Sequence, residues 1–312
     1  MQHDAGILSG YRDEEYIKAG CIIKSTIADI YENAKLIVKV KEPQVEEFDL
    51  IQSKHILFGY LHLAAAGDLE QVLVDSKATA IAFEGVTDSA GGFPLLKPMS
   101  VIAGKLAAQY SSVLLHKNNG GRGILIDGMD SVDGAVVTVL GFGSAGEAAV
   151  IYLNQLSAKI TVIDKIKDKL AQAEALGANI TGVEASIENI KRAVCASDVV
   201  IGAVLVPGAR APVIVKKEWV ANMPKGAVIV DIAVDQGGCI ETTKATTYDE
   251  PTYITEGVVH FAVQNIPAAV PRTASQVLSH AVLPSVINIA ENKWMENKHI
   301  VAGLCVQNGE RL

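Results

Sequence analysis

The sequence predicts an α/β chain of two domains, a doubly wound parallel sheet in one domain inserted in a smaller α/β domain, and three observations carry the prediction. Short β-branched runs alternate with helix-length segments along the chain, the pattern of parallel sheets covered on both faces. The 312 residues exceed one ordinary core. In the middle of the chain, one such run feeds a glycine turn that opens a helix.

The elements follow in order. Leu36–Val40, Ile56–Tyr60 and Thr79–Phe83 read as strands, with helical pattern between them, for instance Asp68–Ser76. Pro98–Lys117 reads as a long helix, with Pro98 near its first turn and apolar residues at three- and four-residue spacing. It stops at the breaker cluster Asn118-Asn119-Gly120-Gly121 and is expected to bridge the domains. A second sheet begins at Val136 and continues through Ile160–Ile163, Asn179–Val183, Val199–Val204 and Val228–Asp231. Thr273–Ala290 reads as another long helix that packs back on the first domain. The expected division is 1–95 with 271–312 for the smaller domain and 96–270 for the larger. There is no internal repeat and no low-complexity linker.

The glycine turn is the most informative feature. Val136–Leu140 runs into Gly141-Phe142-Gly143-Ser144-Ala145-Gly146, and Asp164 closes the next apolar run. Strand, G-x-G-x-x-G, helix, strand and acid in that order form the dinucleotide-binding fingerprint. Gly141 allows a sharp turn, Gly143 a close approach of backbone to pyrophosphate, and Gly146 tight packing of helix on strand. The helix N-terminus then offers N–H groups and a positive dipole end to the phosphates. Asp164 is placed to take both hydroxyls of an adenosine ribose and to repel a 2′-phosphate, so NAD is favoured over NADP. The larger domain is therefore expected to be an NAD-binding Rossmann domain.

Composition narrows the partners. A net charge of −8 argues against nucleic acid or anionic membrane. No apolar run reaches the roughly 18 residues of a membrane span, and Met1-Gln2-His3-Asp4 opens no signal peptide. Cys21, Cys195, Cys239 and Cys305 lack C-x-x-C spacing and read as reduced thiols. The seven histidines are dispersed, without metal-site spacing. A cytoplasmic enzyme without a metal is expected.

Several residues at expected strand ends could carry chemistry. Lys41 follows the first run, before Pro43, where α/β ligand sites form; it pairs with a substrate carboxylate, polarises a carbonyl, or is a solvated surface lysine. His62 follows the second run and is either a proton carrier or a core histidine held by hydrogen bonds. Asp235, before Gly237-Gly238, lies over the carboxyl edge of the larger sheet. It orients a histidine, holds water, accepts a proton, or is an ordinary turn aspartate. Val204–Ala209 is placed along the nicotinamide side, and Asn265 either donates its amide to the cofactor or is a plain loop residue. The basic turn Lys117–Gly123 lacks a P-loop ending and reads as a hinge or subunit contact.

Together these segments resemble the alanine dehydrogenase family along most of the chain. The matching stretches are Val38–Pro43, Tyr60–Ala65, Pro98–Gly104, Asn119–Gly123, Ile201–Pro212, Val230–Ile240 and Asn265–Thr273. The resemblance implies two domains closing around a cleft, usually in a homohexamer, and reversible oxidative deamination of L-alanine to pyruvate and ammonia with NAD. It implies Lys41 as the substrate-binding lysine, His62 as acid/base and Asp235 as the second catalytic residue. Ser100, Asp164, Lys169, Ser186, Val204, Leu205 and Asn265 resemble the cofactor contacts, beside Gly141, Gly143 and Gly146 of the fingerprint. It also implies an earlier strand with an arginine that clamps the substrate carboxylate, a contact worth about 2–5 kcal/mol. Nothing here matches that arginine, since Arg12 resembles a later surface segment. The competing expectations are a truncated, weak or inactive NAD-binding relative, a dehydrogenase for another small amino acid, or a nicotinamide nucleotide transhydrogenase subunit. His62 with Asp235-Gln236-Gly237-Gly238 favours alanine dehydrogenase over the last.

Overall fold

The alternation of β-branched runs with helices builds two separate sheets, one in each of two units. The computed structural model describes residues 1–63, 67–205 and 210–312. One unit is Met1–Pro98 with Val270–Leu312, and the other is Met99–Ala269. The first opens with two short helices, α1 (Asp13–Lys18) and α2 (Ile27–Asn33), the latter capped by Thr26 Oγ1 accepting from Asp29 N. Three parallel strands follow, β1 (Leu36–Val38), β2 (Ile56–Gly59) and β3 (Thr79–Ala82), with α3 (Leu69–Ser76) between the last two. Leu57, Leu61, Leu69, Leu73 and Ala80 form the core beneath them.

Helix α4 (Lys97–Leu114) leads into the second unit. There the strands are β4 (Val136–Leu140), β5 (Lys159–Asp164), β6 (Ile180–Glu184), β7 (Val199–Gly202), β8 (Val228–Asp231), β9 (Thr252–Thr255) and β10 (Val258–Phe261). Between them lie α5 (Ser144–Gln155), α6 (Lys167–Glu174), α7 (Ile187–Ala196) and α8 (Lys217–Ala221). The sheet order is β6-β5-β4-β7-β8-β10-β9, all parallel except β9. This is the doubly wound arrangement, in which the order reverses at β4 and ligands bind beyond the carboxyl ends. Val137, Val139, Val200 and Val228 are wholly buried, as strands covered on both faces require. Each such side chain stabilises the fold by about 1.5–3 kcal/mol relative to exposure.

The chain returns to the first unit through α9 (Pro271–Ala290), with Pro271 as its first residue, then α10 (Lys298–Val301). Two strands complete the first sheet, β11 (Leu304–Gln307) antiparallel to β3 and β12 (Glu310–Arg311) antiparallel to β11.

The differences from the expected elements have local causes. The first three strands and β7 end one or two residues early, and β6 is shifted by one. Past β1 the Lys39 ammonium turns to the buried Glu47 carboxylate, yet Lys39 N still donates to Phe58 O (3.1 Å). Two hairpins were not expected. Glu256 and Gly257 (φ +54° and +76°) join β9 to β10, and Asn308 and Gly309 (φ +53° and +85°) join β11 to β12. Paired positive-φ residues match the right-handed twist of the strands they join. The basic turn after α4 is fastened inside its own unit rather than left as a free hinge. Gly123 N donates to Leu115 O (2.7 Å), and Arg122 pairs with Asp198, which also accepts from Val136 N (2.8 Å).

Candidate functional site

In the second unit the strand register sets Leu140, Ile163, Gly202 and Asp231 level across four strands, so their loops share one edge. The glycine turn stands at its centre. Gly141 has φ +93°, and a Cβ there would lie 2.8 Å from Ala203 O. A Cβ on Gly146 would lie 1.9 Å from Gly141 O, which is how closely α5 sits on the turn. Gly143 is different: a Cβ on it would meet nothing within 4 Å. Gly143 also caps α5 with no side-chain hydrogen bond, and the open space beside it lies at a helix N-terminus, a place of the kind an anion fills.

The Asp164 carboxylate ties this turn to the next loop. Its Oδ2 accepts from Phe142 N (2.7 Å) and its Oδ1 from Ile166 N (2.9 Å). A carboxylate accepts about four hydrogen bonds, so capacity for ribose hydroxyls remains. Lys169 lies in the first turn of α6. Ser186 caps α7, its Oγ accepting from Asn189 N (3.1 Å), which leaves its hydroxyl proton to donate. Both therefore sit where helices leave the carboxyl edge. Val204 and Leu205 follow β7 beside Gly141; the rest of that expected nicotinamide-side loop, 206–209, lies outside the described residues. Ser100 is one turn before Gly104, where a Cβ would lie 2.0 Å from Ala145 O, so Ser100 shares the α4 face that meets the start of α5.

After β8 the chain makes a 3-10 turn over Ile232–Gln236 held by Asp231. That buried carboxylate accepts from Ala233 N (3.0 Å), Cys239 N (2.9 Å) and Thr243 Oγ1 (2.5 Å). Burial pushes its pKa up, and these hydrogen bonds pull it back. Gly237 and Gly238, at φ +96° and +80°, let the loop close on it. Asp235 is exposed on this turn, and its Oδ1 accepts from Asn265 N (3.1 Å), Asn265 itself being at φ +55°. Two expected site residues, Asp235 and Asn265, are thus brought into contact.

In the first unit the segments after β1 and β2 run side by side. Tyr60 N donates to Val40 O (3.2 Å), and a Cβ on Gly59 would lie 2.4 Å from Lys39 O. The paired segments carry Lys41 and His62 beyond the same edge. The Lys41 ammonium is exposed, 3.6 Å from Glu42 Oε1. His62 adopts φ +46°, uncommon for a residue with a Cβ. Its ring stacks on Tyr60 (5.8 Å between centroids, 8° between planes). The Tyr60 hydroxyl donates to Leu95 O (2.7 Å), and burial pushes its pKa well up. A residue the sequence reading missed holds this bend. Glu84, in the 3-10 turn Phe83–Gly85 after β3, accepts from His62 N (2.7 Å) and Leu61 N (3.2 Å). No signal in the sequence links Glu84 to His62 until β2 and β3 are paired.

Among the described residues, the trio close enough to hold an ion is His3, Asp4 and Asp13, near the N-terminus. The hydrogen bond from His3 to Asp13, with Asp4 nearby, raises the imidazole pKa. No described helix is long and apolar enough to cross a membrane.

Comparison with known proteins extends these local features to the whole chain. Residues 1–103 match the N-terminal domain, and residues 107–312 the C-terminal domain, of the family described as alanine dehydrogenase/PNT. The chain belongs to that family. It is 43% identical to alanine dehydrogenase of Halomonas elongata, over 99% of this chain and 85% of that protein. It is 41% identical to alanine dehydrogenase of Mycobacterium tuberculosis, over 100% of this chain and 85% of that one. A solved L-alanine dehydrogenase superposes with a TM-score of 0.92 at 40% identity, covering 100% of this chain and 87% of its own. A transhydrogenase from Sinorhizobium meliloti superposes at 0.84 with 21% identity, covering 100% of this chain and 90% of its own, a likeness of fold alone. The two-domain α/β architecture of the alanine dehydrogenase/PNT family, with its Rossmann-type nucleotide-binding domain, is thus the architecture of this chain.

Proposed function

We propose that the chain is an NAD-dependent alanine dehydrogenase, converting L-alanine, NAD and water reversibly to pyruvate, ammonia and NADH. The observation that carries the reading is likeness along 99–100% of the chain to curated alanine dehydrogenases at 41–43% identity. The geometry supports it where the chemistry needs it. Gly143 leaves room for a pyrophosphate, Asp164 stands beside the turn for the ribose, and Lys169, Ser186, Val204, Leu205, Ser100 and Asn265 supply the remaining cofactor contacts. NAD, when bound, supplies the hydride-accepting carbon for the Cα hydrogen of alanine.

The chain's own groups do the rest. Lys41 holds the alanine carboxylate and balances negative charge on the forming carbonyl oxygen. The alanine amine must be neutral for hydride to leave Cα, and His62 takes that proton. Water then adds to the resulting iminium carbon, and His62 and Asp235 move the protons that let ammonia depart and leave the carbonyl of pyruvate. The reading extends to a cytoplasmic homo-oligomer, a hexamer by likeness to the family. Four cysteines free of disulfides fit a reducing compartment.

The test of the cofactor assignment is alanine oxidation followed at 340 nm with NAD and with NADP. NAD should be preferred, and Asp164→Ala should raise the KM for NAD and narrow its advantage over NADP. Equal use of both cofactors by the unmutated chain would contradict the role given to Asp164.

A further inference from the structure

We propose that Glu84 is a positioning residue for His62, acting through the main chain rather than through the imidazole; the proposal rests on the reading of His62 as the acid/base. Two successive amides, Leu61 N and His62 N, converge on the one carboxylate, at 3.2 and 2.7 Å from Oε1. Consecutive N–H groups turned to the same side make an anion-binding concavity, and that turning requires an unusual backbone conformation. His62 supplies it at φ +46°, a conformation that is strained for a residue with a Cβ. Without an acceptor between the two amides, the strained residue has reason to relax to negative φ.

The direction of the ring depends on that bend. His62 lies flat against Tyr60, whose hydroxyl is fixed to Leu95 O and whose ring meets Phe83 edge-on at 5.1 Å. Relaxing φ would carry the imidazole off this plate. Glu84 Oε1 is 3.7 Å from His62 Nδ1, an ion-pair distance beyond hydrogen-bonding reach, so its hydrogen bonds go to the backbone. The carboxylate is itself set on a fixed support. Ala82 N donates to Gly303 O (2.7 Å), and a Cβ on Gly85 would lie 2.9 Å from Gly303 Cα.

A double-mutant cycle tests this, with kcat for alanine oxidation, NADH binding by fluorescence and thermal unfolding measured on each full-length variant. Glu84→Ala should lower kcat on the order of 100-fold, the scale of a misplaced catalytic group, with NADH affinity retained. Glu84→Gln should restore most of that loss, because a carboxamide oxygen still accepts both N–H groups. In a His62→Ala background, Glu84→Ala should add nothing. Equal losses in both backgrounds, no rescue by glutamine, or full turnover in Glu84→Ala would each overturn the proposal while leaving His62 its role. Full turnover in His62→Ala would remove the acid/base reading, and the proposal with it.

Discussion

His62→Ala should lower kcat for alanine oxidation by about 10²–10⁴-fold, the usual contribution of a positioned acid/base, while NADH binds as tightly as before. The separation follows from where the residue sits. His62 belongs to the first unit, beyond β2, whereas the glycine turn and Asp164 belong to the second. Its side chain is half-exposed and packs on Tyr60 rather than into the core, so truncation opens no buried cavity and thermal unfolding should shift little. Steady-state kinetics with fluorescence titration of NADH measures both halves. Turnover within threefold of the unmutated chain would show that another group moves the proton.

Two glycine substitutions three residues apart should both weaken NADH binding, and only one of them should weaken the fold. Gly143→Ala adds a methyl that touches nothing within 4 Å, at φ −86° and ψ −171°, extended backbone that alanine adopts. The helix cap weakens by about 1 kcal/mol at most, so the variant should fold normally. Its NADH affinity should nonetheless fall at least tenfold, about 1.4 kcal/mol, because the proposed reading puts the pyrophosphate in that open space. Gly146→Ala instead drives a methyl to 1.9 Å from a main-chain carbonyl. Helix α5 must then move off the turn, at a cost of about 1–3 kcal/mol of stability or more, and affinity is lost with it. Urea unfolding and NADH titration on both variants decide the matter. Undiminished NADH binding by Gly143→Ala would place the pyrophosphate elsewhere.

What could be read beforehand follows from the range over which each signal acts. The second sheet was legible because strands buried on both faces must be largely apolar, as Val199–Gly202 is and as Val136–Leu140 is apart from Thr138, whose hydroxyl pairs with Ser197 Oγ (2.7 Å). The fingerprint was legible because turn, helix and acid are consecutive in the chain. The hairpin at Asn308-Gly309 did carry a local signal, the dipeptide most favoured for such turns, but flanking strands of four and two residues are too short to show alternation. Glu256-Gly257 is a weaker version of the same signal.

The candidate site was legible as residue types at strand ends and illegible as contacts. Glu84 is 22 residues from His62 and reaches it only because β3 lies beside β2. Asp231 was read as the last residue of a strand; its service to Ala233, Cys239 and Thr243 appears only when the loop folds back. The contact of Asp235 with Asn265 spans 30 residues in the same way. The sequence assigns Asp164 to a ligand, whereas the contact the structure shows is local, its carboxylate bracing the glycine turn through Phe142 N.

The most direct test of the account is NADH consumption at 340 nm by the purified chain given pyruvate and ammonium. Turnover should require both substrates, yield L-alanine and run faster with NADH than with NADPH. Tight NADH binding with no pyruvate- and ammonium-dependent consumption would contradict it, leaving a nucleotide-binding relative without this activity.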